Sequence, residues 1–76
     1  MKQKDIQFRM ECIIKEIADL KWWRDHFTVR RAEMRKRNAP PAIIRRYDLD
    51  LKDTIDKINA CEIELWGLQE MQMSFR

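Results

Sequence analysis

The chain has 76 residues with one glycine and two prolines; 38% of its side chains are charged, 45% are hydrophobic, and the net charge is +3. So few chain breakers exclude sandwiches, barrels and βα units, which need a turn every few residues, and the length excludes a second folding unit. What remains is a single all-α domain of a few long helices.

The opening MKQKDIQFRM is too polar for a secretory signal. No segment approaches the ~20 apolar residues of a membrane span. The expectation is a soluble, cytoplasmic protein with no membrane partner. Cys12 and Cys61 fit a reducing compartment, as small buried or half-buried hydrophobes.

The first predicted element is a helix over about 2–37. Ile6, Met10, Ile13, Ile17, Leu20, Arg24, Phe27, Arg31 and Met34 follow one another at alternating spacings of four and three. That is a heptad seam with two charged members, and no proline or glycine interrupts it.

Next comes a turn at 38–40. Asn38 suits the left-handed position that closes a helix. Ala39 and Pro40 each precede a proline and are therefore extended. Pro41 fits the first position of a new helix, where a missing N–H costs nothing.

The second helix is predicted over about 41–75. Its seam is Ile44, Tyr47, Leu51, Thr54, Ile58, Cys61, Leu65, Leu68, Gln72 and Phe75. Gly67 interrupts it as a fray point or a place of close packing. So short a connection brings the helices back antiparallel, as a coiled-coil-like hairpin.

Facing residues in such a hairpin have numbers summing to about 79, which brings Arg31 to Asp48 and sets Cys12 and Cys61 ~9 Å apart along the axis. No intrachain disulfide is expected, because a bridge needs Cα atoms within ~7 Å.

Charge concentrates at the hinge. Residues 30–46 hold seven basic side chains and one acid, a local +6 that leaves the rest of the chain at −3. Arg35, Lys36 and Arg37 favour the negative end of the first helix, whereas Arg45 and Arg46 stand at the start of the second, where its dipole disfavours cations. With Arg30 they form a candidate site for phosphate, nucleic acid or an acidic protein surface.

The seams also leave large apolar residues without a partner. Phe8, Cys12, Trp22 and Val29 lie opposite the first seam, with Trp23 on its flank; Ile63, Trp66 and Met73 form a second stripe on the other helix. Three tryptophans among them point to interfaces. Self-association into a four-helix bundle, most simply a homodimer, buries such positions as ordinary core.

Catalytic chemistry is not evident. His26 beside Asp25 reads as a surface pair, the Asp48, Asp50 and Asp53 carboxylates point in different directions on a helix, and Asp53 is set to pair with Lys57. One histidine and two cysteines fall short of a zinc site, and no cofactor is implied.

The functional expectation is a non-enzymatic regulator, inhibitor or adaptor that occupies the surface of a protein partner, of the kind that compact phage or mobile-element genomes encode. The alternatives are a nucleic-acid-binding hairpin that grips phosphates with its basic tip, and a structural spacer or assembly chaperone.

Overall fold

The computed structural model describes residues 2–74, and among them it has two α-helices and no strand. Helix α1 spans Gln3–Lys36 and helix α2 spans Pro41–Met73. Each is a residue or two shorter than its seam predicts, and Phe75 lies outside the described residues. The two helices pack antiparallel into a rod of 56 × 14 × 13 Å.

The hinge forms as its residues dictate. Asn38 takes the left-handed conformation at φ 54°. The Asn38 N–H then donates to the Arg35 carbonyl at 3.1 Å and the Ala39 N–H to Met34 at 2.9 Å. These are the two bonds of a Schellman closure, and they satisfy carbonyls that the end of α1 would otherwise orphan. Pro40 is extended (φ −53°, ψ 143°) and Pro41 opens α2, where it fixes φ without wasting a donor.

Both seams lie between the helices. Ile6 and Ile13 are fully buried, and Ile17, Thr54, Ile58 and Leu68 are nearly so. Met10, Cys61 and Leu65 pack against the cluster of Ile6, Ile13, Ile17 and Leu68. Thr54 tolerates burial because its hydroxyl donates to the Asp50 carbonyl at 2.8 Å.

This dry core sits at the end carrying the termini. Toward the hinge the seam is half-buried, because Arg24 and Arg31 occupy two of its positions on α1 and need solvent or a partner. Arg31 finds one, donating across the hairpin to Asp48 at 2.6 Å. Nearer the termini Arg9 donates to both oxygens of Glu64 at 3.0 Å. That pair joins the flanks of the two seams, and it raises the already high pKa of the Arg9 guanidinium through the hydrogen bond and the charge of Glu64.

Two sequence expectations are corrected. Cys12 is exposed rather than buried, because it stands opposite the seam; only Cys61 is half-buried, and both thiols are free. Gly67 is neither a fray point nor a close contact within the chain: α2 runs straight through it, and a Cβ there would meet nothing within 4 Å.

Candidate interaction surfaces: an aromatic outer face and a basic tip

Among the described residues, the large apolar side chains that the seams leave over are exposed in the hairpin. Phe8 retains 68% of its accessible surface, Trp22 and Trp66 59% each, and Trp23, Val29, Ile63 and Met73 are exposed with them. For a chain of this size the buried set is small and the uncovered apolar set large.

The exposed residues of α1 are organised. Trp22 and His26, one turn apart, stack with ring centroids at 5.2 Å and planes 8° from parallel. Trp23 meets both edge-on, at 4.9 Å from Trp22 and 5.6 Å from His26. Trp23 also lies 5.6 Å from Phe27, a seam residue that ties the cluster to the interior. Such contacts fix side chains that exposed positions normally leave free, each worth ~0.5–1.5 kcal/mol. A pre-ordered aromatic surface binds with less entropy to lose.

Sequence reading separated Trp22 from Trp23 by face and assigned His26 to Asp25. In the structure Asp25 pairs with Arg24 at 3.2 Å and His26 belongs to the indoles. The signal was the spacing itself: 22/26 and 23/27 are four apart and 23/26 three apart, the separations at which helical side chains touch.

Two hollows accompany the cluster. One of about 280 Å³ is lined by Trp22, Asp25, His26 and Val29 on the outer face. Another of about 310 Å³ opens between the helices, floored by the seam residues Leu20, Phe27 and Thr54 and rimmed by Trp23, Asp50 and Lys57.

At the tip the structure sorts the cations. Arg30 pairs with Glu33 at 3.0 Å, Arg31 with Asp48, and Arg46 with Asp50 at 3.7 Å. Among the described residues, Arg35, Lys36, Arg37 and Arg45 have no carboxylate partner. Arg35 and Lys36 sit in the last turn of α1, and the first turn of α2 has no acid. Three of the tip's seven cations are thus paired inside the chain, and four are not.

The aspartates of α2 are engaged as cation partners: Asp48 and Asp50 as above, and Asp53 with Lys57 at 3.2 Å. Among the described residues no group of three or more histidine, cysteine or acidic side chains is placed to hold a metal ion. No helix of the described residues is long and apolar enough to cross a membrane. Comparison with protein-family models, with curated proteins and with solved structures returns no match, so the functional reading rests on this geometry alone.

Proposed function

We propose that the chain is a non-enzymatic protein-binding hairpin, a regulator or adaptor that acts by occupying the surface of another protein. The observation that carries this reading is the pre-stacked, solvent-exposed aromatic cluster of Trp22 and His26 with Val29 beside it. Phe8 and Cys12 continue that outer face along α1; Ile63, Trp66 and Met73 supply its counterpart on α2. Tryptophans in this setting are the side chains that dominate binding energy at interfaces.

The test places a photocrosslinking residue at position 22 or 66 in cells, with position 52 as an exposed control. The reading predicts a discrete adduct with a different protein from 22 or 66. It also predicts that Trp22→Glu or Trp66→Glu abolishes co-purification of that protein without loss of helicity. Adducts containing only a second copy of the chain, or none at all, overturn it.

A second reading is favoured by the four unpaired cations of the tip: Arg35, Lys36, Arg37 and Arg45 contact the phosphates of a nucleic acid. It predicts duplex DNA or RNA binding that weakens steeply with salt and disappears in an Arg45→Glu, Arg46→Glu variant. In the remaining reading, a spacer or assembly chaperone, neither the outer-face tryptophans nor the tip arginines affect activity and only seam substitutions do.

A further inference from the structure

One flank of the rod is distinct from the outer face. Arg9, Glu16, Trp23 and Arg30 of α1, with Arg37 just past its end, recur every seven residues beside the seam; on α2, Ile43, Asp50, Lys57, Glu64 and Met71 do the same. The Arg9–Glu64 ion pair, and the groove shared by Trp23, Asp50 and Lys57, put both rows on the same side of the hairpin. We propose that this flank is a self-complementary interface on which two copies of the chain pack antiparallel about a twofold axis at Trp23.

The rows themselves carry the argument. A twofold axis normal to the rod at Trp23 reverses the α1 row. Trp23 then meets Trp23 of the second copy, Glu16 meets its Arg30, and Arg9 with its bound Glu64 meets its Arg37. In this hairpin Lys57 stands at the level of Trp23, so the same axis reverses the α2 row about Lys57. Ile43 then meets Met71 of the second copy, and both are large apolar side chains left exposed by the seam, at 43% and 44%. One axis therefore pairs apolar with apolar on both helices, and acid with base on α1.

The like charges that it brings together are Lys57 with itself, Asp50 with Glu64, and Arg9 with Arg37. All of these but Arg37 already hold an opposite charge within their own chain: Lys57 with Asp53, Asp50 with Arg46, and Glu64 with Arg9. Every such contact therefore has an ion pair, not a bare charge, on at least one side, which keeps the repulsion small.

The opposite flank fails the same exercise. Its rows are Gln7, Ile14, Lys21, Thr28 and Arg35 with Asp48, Ile55, Glu62 and Gln69. A central axis there sets Lys21 on itself, Ile14 on Thr28 and Ile55 on Glu62. Orientation is decided by the tip. A parallel pair stacks two +6 ends side by side, whereas the antiparallel pair holds them at opposite ends of the 56 Å rod.

Area agrees with a second copy as the occupant. The hairpin exposes 6120 Å², while a compact monomer of 9.4 kDa exposes about 5,000 Å². The excess is of the size that one partner buries in a standard interface, about 800 Å². The groove at the centre of this flank leaves Leu20 and Phe27 half-open to solvent, and the second copy's indole lies over it.

This interface does not depend on the outer-face reading, and its test uses the purified chain alone. Sedimentation equilibrium should give twice 9.4 kDa. Trp23→Glu should weaken the dimer by more than about a hundredfold with helicity retained, since the substitution acts twice at the axis; Trp22→Glu should leave it intact. Should Trp23→Glu fail to fold, Ile43→Glu with Met71→Glu probes the same flank. Glu16→Arg and Arg30→Glu should each weaken the dimer roughly threefold to tenfold, and the double swap should restore it. A monomeric wild type overturns the proposal. So does a dimer indifferent to Trp23 and to Ile43 with Met71, or a double swap that adds the two losses. Loss of partner adducts from position 22 or 66 would leave all of these outcomes unchanged.

Discussion

Arg31 occupies a seam position on α1, and its guanidinium lies 2.6 Å from the carboxylate of Asp48 on α2. A cation belongs poorly between two packed helices, and here it is tolerated because its partner is fixed opposite it by the register of the hairpin. The consequence is asymmetric. Asp48→Asn should destabilise the hairpin by about 0.5–1 kcal/mol, because a half-buried cation loses its counter-charge. Arg31→Leu should stabilise it, because the substitution removes the need for a counter-charge and completes the apolar seam. Urea denaturation of the two variants checks both signs, and equal losses would mean that the pair is a net stabiliser in its own right.

The weight of the fold rests at the other end. Ile13 is fully buried within the cluster that includes Ile6, Ile17 and Leu68. Ile13→Ala should cost about 2–4 kcal/mol through lost transfer energy and a residual cavity. For a two-helix domain that is a large share of the total. Leu20→Ala should cost less, since Leu20 already lines an open groove. A thermal scan by circular dichroism that ranked the two in the reverse order would place the core nearer the hinge.

The seams, the hinge and the Arg31–Asp48 contact were legible in the sequence for one reason: each follows from a spacing rule or a backbone preference acting within a few residues or along a fixed register. Asn38 is the clearest instance, since one residue type, two prolines after it and a heptad on either side leave little choice of turn. The aromatic cluster was less legible. Trp22, Trp23 and His26 were assigned by the direction each faces from the helix axis, and large rings reach past their own face to touch neighbours three and four residues away. Arg9–Glu64 was missed for a related reason. Long side chains on the flanks meet across residues that the register alone does not put opposite each other. Gly67 misled because a glycine inside a helix usually marks contact or fraying, and within this chain it marks neither.

Asn38 offers a test of the hinge. Its φ of 54° lies where a side chain with a β-branch clashes with the backbone. Asn38→Gly should be neutral or slightly stabilising. Asn38→Val should cost on the order of 1 kcal/mol or more, because the Schellman bonds to Arg35 and Met34 then demand a strained residue. Equal stability of the two variants would show that the prolines alone set the turn.

Gly67 separates the needs of the hairpin from those of its surface. With open space where a Cβ would stand, Gly67→Ala should raise the stability of the isolated chain by about 1 kcal/mol, the helix-propensity difference. A stability gain accompanied by weaker co-purification of a partner through Trp66 would place that partner's backbone against the glycine. A stability loss would mean that the position is already covered, as by a second copy on this face in place of the Trp23 flank.

Cys61 gives the hairpin a pH dependence of known sign. Burial raises its thiol pKa first, and the carboxylates of Glu16 and Glu64 raise it further, against an opposing effect of Arg9. The folded state therefore holds this proton more tightly than the unfolded chain does. The stability contributed by the neutral thiol is full below the ~8.5 of an unfolded cysteine and is lost as pH rises through the higher folded value. As pH rises above the ~8.5 of an unfolded cysteine, wild type should lose stability more steeply than Cys61→Ala, in which this proton is absent. The comparison matters because every other group is common to the two proteins and cancels in the difference. The same protonation should make Cys61 slow toward alkylating reagents, whereas Cys12, exposed on the outer face, should react readily. Parallel pH slopes for the two proteins would show that the half-buried thiol ionises as freely in the hairpin as in the unfolded chain, and that burial at this level of the seam does not exclude water.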